Sequence, residues 1–280
     1  MAVSNKTIAI FKEKDKFHVP CASIATLLLG PGTSITHAAI KTLADNACEV
    51  HWVGQDVLKF YATGRGGSGN TERLQHQVGV WADSLQRLGV VRRMYQFRFE
   101  EDLPEDLTLQ QIRGHEGVRI RTLYSQLSQE TGVEWKGRDY KQTDWNDADP
   151  INKALSVANS CLYAVCQAAL NSVGYSSALG FIHTGKPLSF AYDIADLYKA
   201  ETTIPAAFEA VAGTYFELES FVRRKCREKF NQYRLMHRIV QDVDRILQYG
   251  TPEEEAEPIC FLWDDQLEWV QGGKNWSEED

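Results

Sequence analysis

Three side chains that can bind a metal ion lie close together in the segment GFIHTGKPLSFAYDIADLYKAE, residues 180–201. They are His183, Asp193 and Asp196, and most residues around them are of the types that form a protein core. Burying charge in such surroundings is costly unless the charge is paired or binds an ion. On a helix, Asp193 and Asp196 share one face because they are three residues apart. Carboxylates combined with one imidazole suit Mg²⁺ or Mn²⁺, whose remaining ligands are water and phosphate.

A fourth candidate, Glu116, lies in RGHEGVR, within a segment that otherwise has helical periodicity. Gly114 and Gly117 flank it, and a glycine inside a helix costs about 1 kcal/mol relative to alanine. This pattern indicates that backbone or a ligand approaches closely there. His115 points about 100° away from Glu116 around the helix, so we do not expect both to bind one ion. The alternative is that all these candidates are unrelated polar side chains with local partners.

Positively charged and aromatic side chains near these candidates could bind a nucleic acid. Arginines and lysines cluster at residues 92–98, 113–121 and 223–229, although most such runs are solvated helix faces. Aromatic residues can stack on bases, although packing in the core is their usual role. The candidates are the cations Arg119, Arg121 and Lys186 and the aromatic residues Tyr140, Trp145 and Tyr163.

The charge of the chain is unevenly distributed. The net charge is −8, but residues 251–280 contain seven Glu, three Asp and one Lys. Residues 1–250 therefore carry a net charge of +1. A nearly neutral body with clustered arginines can present basic surfaces, so the total charge neither supports nor excludes a nucleic-acid partner. The acidic opening of the tail, TPEEEAEP, is typical of a flexible segment.

The sequence also indicates where the protein works. No run approaches the roughly 18 apolar residues that a membrane-spanning helix requires, and the first residues lack the pattern of a signal peptide. The six cysteines include no CxxC pair, which favours reduced thiols over disulfides or a zinc site. We therefore expect a cytoplasmic protein with no membrane partner.

Two regions of different periodicity must position the candidate residues, which predicts an α+β protein of two domains. In residues 1–63, short segments rich in β-branched and aromatic residues predict strands, interrupted by one helix in HAAIKTLADNAC. The predicted strand segments are IAIFKEKDKFHVP, IATLLLG, CEVHWVG and VLKFYAT. We expect a small β-sandwich-like domain there, a glycine-rich linker at 64–70, a larger all-α catalytic domain at 71–250 and an acidic tail at 251–280.

The helical region contains five segments in which apolar residues recur at three- and four-residue spacing. They begin with TERLQHQ, LTLQQIR, DPINKAL, LSFAYDI and ELESFVR. Thr71 is a predicted helix start, and Gly174 and Gly250 are predicted stops. The linker GRGGSG also matches the dinucleotide fingerprint G-x-G-x-x-G, but that site requires a strand returning after the helix. Only helical segments follow, so we interpret the motif as a linker.

The blocks RGHEGVR, SCLY and GFIHTGKPLSFAYDIADL strongly resemble the CRISPR-associated spacer integrase, the integrase subunit of the CRISPR adaptation complex. The resemblance is closest to the type I-E, Cascade-associated branch, and it runs from about residue 17 to residue 250. It implies a β-sandwich domain linked to a helical domain. It also implies the catalytic residues Glu116, His183, Asp193 and Asp196, of which Glu116, His183 and Asp196 would bind Mg²⁺ or Mn²⁺.

The resemblance further implies a metal-dependent DNA integrase or endonuclease. Such a protein joins the 3′-hydroxyl of short foreign DNA fragments to the CRISPR repeat by transesterification. The implied partners are double-stranded DNA, a second copy of the chain and a small ferredoxin-like adaptation subunit. Lys41, Lys59 and Arg223 are implied phosphate contacts, whereas Ser34 stands where the family has an arginine. Two alternatives remain open, namely a metal-dependent nuclease acting on branched or double-stranded DNA and a non-catalytic DNA-binding scaffold.

Overall fold

The structure, a computed structural model, describes most of the chain. The residues it does not describe are 1, 5–6, 13–14, 25, 47, 55–59, 65–70, 100–102, 105, 139–148, 214–216, 251–260, 265–267 and 272–280. Lys59, Tyr140 and Trp145 therefore lie outside the described residues, as does the predicted linker beyond Gly64.

Two three-stranded sheets form the N-terminal region. In the first sheet, β1, β2 and β3 are antiparallel neighbours. In the second, β4 lies parallel to β5, which pairs antiparallel with β6. Helix α1 connects β4 to β5, and it begins where the Thr36 hydroxyl accepts a hydrogen bond from the Ala39 backbone N–H. The strands and helix are β1 (Ala2–Ser4), β2 (Thr7–Lys12), β3 (Asp15–Pro20), β4 (Thr26–Leu29), α1 (His37–Asp45), β5 (Glu49–Val53) and β6 (Phe60–Gly64).

One apolar core joins these elements. Ile8 from β2, Leu29 from β4, Val50 from β5 and Leu43 from α1 are all buried in it. The two sheets and the helix thus bury their apolar faces against each other, as a small β-sandwich-like domain requires. The predicted helix is confirmed, and each of the four predicted segments contains a strand, the first of them two strands. Residues 57–59 of the last segment lie outside the described residues.

The rest of the described chain is mainly helical, and this confirms the α+β fold class. Helix α4 begins with a capping box, in which Thr108 and Gln111 each bond the other's backbone N–H. Helix α5 begins at the N-cap Asp149, followed by Pro150 at its first position. The helices are α2 (Glu72–Ala82), α3 (Ser84–Phe99), α4 (Leu109–Thr131), α5 (Pro150–Ser172), α6 (Ser189–Tyr198), α7 (Thr203–Gly213), α8 (Leu218–Gln232) and α9 (Leu235–Leu247).

The structure corrects several predicted helix boundaries. The first predicted helical segment is two helices, because the Asp83 side chain accepts from the backbone N–H groups of Leu85 (2.8 Å) and Gln86 (3.0 Å) and so starts α3. The last predicted segment breaks at Arg234, whose φ of 49° is left-handed. Helix α7 was not predicted at all. Gly174 follows the end of α5 as predicted, whereas α9 ends at Leu247, before the predicted stop.

Helix α5 is the central element of the helical region. Fourteen of its residues are buried, and it packs against α6, α7, α8 and α9. One half of α5 shares a core with α3, α6 and α9, and the other half shares a core with α7 and α8. Helix α4 packs against α3 and α7. This arrangement brings α3, α4 and α6 to a common location.

The strand before the glycine-rich motif lacks the surroundings that a dinucleotide site requires. β6, which ends at the glycine-rich motif, is antiparallel to β5 and is followed by α2 and α3, so it is not the first strand of a βαβ unit. In the tail, the structure describes an antiparallel pair, β7 (Phe261–Asp264) and β8 (Glu268–Gln271). No helix in the described part of the chain is both long and apolar enough to cross a membrane.

Candidate active site

A single carboxylate holds the loop that precedes α6. Asp193, on α6, is fully buried. Its Oδ2 accepts hydrogen bonds from the backbone N–H groups of Phe181 (2.6 Å) and Ile182 (3.0 Å). Its Oδ1 accepts from the backbone N–H of His183 at 2.8 Å. Because a carboxylate is tolerated in a core only when hydrogen bonds satisfy it, we infer that Asp193 fixes the backbone of this loop.

The same carboxylate orients the ring of His183. Nδ1 of His183 lies 2.7 Å from Oδ1 of Asp193. Since a carboxylate accepts hydrogen bonds, Nδ1 carries the proton, and Nε2 of the neutral ring keeps its lone pair. This hydrogen bond raises the pKa of His183 above the ordinary value of 6.5, against the opposing effect of burial and with help from the charge of Asp196. The His183 side chain remains 45% exposed, so the ring stays accessible.

Asp196 lies one turn further along α6 and has two cationic partners. Its Oδ1 is 2.6 Å from Nζ of Lys199, and its Oδ2 is 3.5 Å from Nη2 of Arg98. Burial alone would raise the pKa of Asp196, but Lys199 and Arg98 outweigh burial and hold the pKa below 3.8. Asp196 is therefore ionised at neutral pH.

Glu116 reaches the same place from α4. Arg119 binds it in a bidentate manner, with Nε 2.9 Å from Oε2 and Nη2 3.1 Å from Oε1. Nη1 of Arg98 lies 3.8 Å from Oε1 of Glu116. Because Arg98 also approaches Asp196, the two carboxylates lie beside one guanidinium. The structure thus brings Glu116 and Asp196 to one guanidinium, and it places His183 on the loop that Asp193 holds against the same helix, α6.

Two carboxylates and three cations form a charged cluster at this place. Its members are Glu116, Asp196, Arg98, Arg119 and Lys199. Within the described chain, no three His, Cys, Asp or Glu side chains lie close enough together to hold a metal ion. Instead, Arg119 and Lys199 lie against the oxygens of Glu116 and Asp196. An ion held by both carboxylates would therefore have to displace these two side chains.

The donor set nevertheless fits Mg²⁺ or Mn²⁺ in its chemistry. Two carboxylates approach a shared cation, as they would share a divalent ion. The hydrogen bond between Asp193 and Nδ1 of His183 is the arrangement that orients metal-binding histidines, because it leaves Nε2 available to the ion. These contacts favour a site that can accept an ion once the competing cations withdraw.

Sequence reasoning did not assign two members of this cluster. Lys199 is three residues after Asp196, a helical spacing that could have identified it. Arg98 comes from α3, and no local spacing links it to α4 or α6. Tyr163, a predicted stacking residue, does lie at the cluster: Nζ of Lys199 is 5.1 Å from its ring centroid, and Tyr192 meets it edge-on at 4.7 Å between centroids.

Close packing within the protein does not explain Gly114 and Gly117, the glycines on either side of Glu116. A Cβ at Gly114 would meet nothing within 4 Å, and a Cβ at Gly117 would make only an ordinary 3.4 Å contact with Arg121. No described backbone lies close to either glycine. Of the two explanations offered by the sequence, close approach of backbone and close approach of a ligand, only the second stays a prediction. His115 is exposed and Glu116 is half-buried, which agrees with the divergent directions expected for them.

We expect Gly180→Ala to destabilise the protein by about 2–3 kcal/mol. A Cβ at Gly180 would collide with the backbone carbonyl oxygen of His183 and would lie 2.8 Å from the carbonyl carbon of Ser189. Backbone atoms cannot yield as the end of a flexible side chain can, so the loop must move. Urea unfolding measures the loss. The control is Gly114→Ala, expected to stabilise helix α4 by up to about 1 kcal/mol, and equal stability of the two variants would contradict the close approach.

The remaining predicted DNA-binding side chains are spread over the surface. Lys41 on α1 is exposed and pairs with Asp45 at 2.9 Å. Arg121 is exposed on α4, and Lys186 is exposed in the loop before α6. Arg223 on α8 borders a cavity of about 550 Å³ between β4 and helices α5, α8 and α9. Arg121 and Lys186 therefore share their elements with the candidate metal ligands, whereas Lys41 belongs to the β region.

Sequence comparisons connect the chain to known proteins. A family described as "CRISPR associated protein Cas1" matches residues 1–102 and 95–236. A "CRISPR-associated endonuclease Cas1 2" from Thermus thermophilus is 47% identical over 281 residues, which cover 98% of this chain and 86% of the relative. A "CRISPR-associated endonuclease Cas1" from Escherichia coli K12 is 38% identical over 259 residues, which cover 91% and 85%.

Structural comparisons agree with these matches. A crystal structure of the TtCas1–DNA complex superposes with a TM-score of 0.82 at 45% identity, and the match covers 98% of this chain and 96% of that one. A Cas1 protein from Thermotoga maritima has a TM-score of 0.66 at 15% identity, with coverage of 88% and 92%. The second comparison shows that the two-part architecture persists where little sequence identity remains.

Proposed function

This chain belongs to the Cas1 family of CRISPR-associated proteins, and we propose that it is a metal-dependent DNA integrase of CRISPR adaptation. In the proposed reaction, the 3′-hydroxyl of a short DNA fragment attacks a phosphodiester at the edge of a CRISPR repeat. One P–O bond forms as another breaks, so the fragment is joined without an external energy source. The observation that carries the proposal is that Glu116 of α4 and Asp196 of α6 lie beside one buried guanidinium, while Asp193, on the same helix as Asp196, holds the ring of His183.

The side chains have distinct roles in this proposal. Glu116, Asp196 and Nε2 of His183 would hold the ion, and the imidazole tilts the preference slightly toward Mn²⁺ over Mg²⁺. When bound, the ion lowers the pKa of the attacking hydroxyl and stabilises negative charge in the transition state. Asp193 does not bind the ion, because hydrogen bonds already occupy both of its oxygens. It acts as a positioning residue that keeps His183 in the tautomer with Nε2 available.

The cations of the cluster suit a DNA phosphate. Once released from Glu116 and Asp196, Arg119 and Lys199 would lie beside the reacting phosphodiester and donate hydrogen bonds to its oxygens. Tyr163 lies under Lys199, where a base or sugar can pack against it. Phosphate contacts of this kind position DNA without reading its sequence. The DNA complex of the relative at 45% identity supports the same class of ligand for this chain.

A salt titration tests the phosphate contacts. Lys186→Ala is expected to weaken DNA binding for all sequences and to reduce the slope of log affinity against log salt by roughly one unit. Arg223→Ala is expected to do the same. The control is Lys136→Ala, which removes a lysine that is 73% exposed and pairs with Glu134. A changed sequence preference with an unchanged salt slope would contradict the phosphate role.

An oligonucleotide assay tests the proposed reaction against its alternatives. A fragment with a labelled strand is incubated with a CRISPR-repeat duplex and Mn²⁺, and the products are separated by size. Integration yields a labelled strand that has become longer. The nuclease alternative, in which water replaces the 3′-hydroxyl, yields shortened strands only. The scaffold alternative yields a bound complex with neither product.

Assembly follows from the geometry of two-ended insertion. One active site joins one strand end, so insertion of a fragment at both ends requires at least two copies of the chain. Phe11, Phe17 and Tyr61 in the β region are 59%, 52% and 64% exposed, and exposed aromatic residues of this kind are enriched at protein interfaces. We propose a homodimer that works with a small ferredoxin-like adaptation subunit. Membership of the type I-E branch stays a prediction.

A further inference from the structure

The three cations of the cluster differ sharply in burial. The side chain of Arg98 is 5% exposed, whereas those of Arg119 and Lys199 are 30% and 23% exposed. Arg119 and Lys199 therefore have solvent beside them and can swing away from the carboxylates. Arg98 lies beneath the site, with its guanidinium 5.0 Å from the ring centroid of the buried Tyr95, and has no such path.

The contacts of Arg98 are also of a different kind. Its Nη1 and Nη2 lie 3.8 Å and 3.5 Å from oxygens of Glu116 and Asp196, longer than the roughly 2.7–2.9 Å of a charge-assisted hydrogen bond. Nε and Nη2 are buried and have no hydrogen-bond partner within the described residues. A buried donor without a hydrogen-bond partner destabilises the fold, because its hydration is lost and not replaced. The attraction between one buried positive charge and two carboxylates offsets this cost.

We propose that Arg98 is the residue that positions the two carboxylates of the metal site, an inference that rests on the proposed function. Arg119 and Lys199 give up their carboxylates to the divalent ion, while Arg98 stays in place. With one terminal nitrogen within 4 Å of each carboxylate, its charge holds Glu116 and Asp196 side by side before the ion arrives. The ion then meets an arranged pair of ligands, and no binding energy is lost in bringing two like charges together.

The direction in which Mn²⁺ affinity changes distinguishes a residue that positions the ligands from one that only adds positive charge. A positive charge near a cation site repels the ion, so removing a charge that has no positioning role should tighten binding of the ion. Removing a residue that orients the ligands typically weakens metal affinity by about 10–100-fold. Arg98→Gln removes the positioning residue, and Arg119→Gln is the matched control that removes a displaceable cation of the same chemistry.

The experiment is a Mn²⁺ titration of the DNA-free protein, with free Mn²⁺ followed by electron paramagnetic resonance. We expect Arg98→Gln to raise the dissociation constant by about 10-fold or more and Arg119→Gln to lower it. Arg98→Lys keeps the charge but places one ammonium where two terminal nitrogens stood, and it should also weaken binding. This second variant preserves the test if the glutamine variant fails to fold, which circular dichroism reports.

Tighter or unchanged Mn²⁺ binding in a folded Arg98→Gln or Arg98→Lys variant would overturn the inference and leave the proposed metal site standing. The proposed metal site fails in a different way: the wild-type chain binds no Mn²⁺, or Glu116→Gln binds it as well as the wild type. The two failures are therefore distinguishable in one set of titrations, without any measurement of DNA joining.

Discussion

Alanine in place of Asp193 is expected to destabilise the protein by about 3 kcal/mol or more and to abolish DNA joining. Asp193 is fully buried and accepts hydrogen bonds from three consecutive backbone N–H groups as well as from the ring of His183. Alanine would leave the buried N–H of Phe181 and the part-buried N–H groups of Ile182 and His183 without this partner, and it would leave a cavity in place of the carboxylate. Urea unfolding measures the stability loss, and the oligonucleotide assay measures joining.

Asp193→Asn separates the structural and chemical parts of this effect. The amide keeps the volume of the carboxylate but has one acceptor oxygen, so it cannot accept from all of these donors. If the oxygen accepts from Phe181 and Ile182, the NH₂ group faces Nδ1 of His183 and donates to it. The ring then carries its proton on Nε2 and cannot bind an ion there. We expect a folded, less stable protein with little joining activity, and wild-type joining in this variant would contradict the positioning role.

Glu116→Gln is expected to lower the joining rate by about 100-fold or more, with a stability change of only about 1 kcal/mol. The amide can still accept a hydrogen bond from Arg119, so the local structure changes little. It loses the negative charge with which a carboxylate attracts a divalent ion, and its amide oxygen is a weaker ligand. DNA affinity should be retained, because the variant removes a negative charge near the phosphates. Single-turnover joining rates and a DNA-binding titration check the two expectations.

The control for this variant is Glu134→Gln. Glu134 is 74% exposed, and its ion pair with Lys136 is a surface contact, so joining should be unchanged. A Glu116→Gln protein that joins DNA at the wild-type rate would exclude Glu116 as a metal ligand. A variant that unfolds instead would show that Glu116 serves chiefly to balance the buried charge of Arg98.

The sequence located the candidate residues better than it distinguished their roles. The i, i+3 spacing places Asp193 and Asp196 on adjacent turns of one helix, as α6 confirms. Spacing cannot show that Asp193 is fully buried under the loop while the Asp196 side chain is 21% exposed and paired with Lys199. That difference arises because the loop folds back over α6 at Gly180, a tertiary contact that no helical periodicity contains.

Long-range packing also explains what the sequence missed in the fold and the site. The break at Asp83 depends on a side chain that bonds its own backbone, and such breaks interrupt a periodic pattern without ending it. Helix α7 is apolar over most of its length and lies in the core, so it lacks the amphipathic alternation that predicts a helix. Arg98 enters the site only because α3 packs against both α4 and α6.

The most direct test is the anomalous diffraction of Mn²⁺ in crystals of this protein. We predict one strong anomalous peak coordinated by Glu116, Asp196 and Nε2 of His183, with the side chains of Arg119 and Lys199 withdrawn from the carboxylates. Asp193 should keep its hydrogen bonds to the loop and to Nδ1 of His183. A peak at a place that none of the three residues reaches, or carboxylates that stay paired with Arg119 and Lys199 in saturating Mn²⁺, would contradict the proposed metal site.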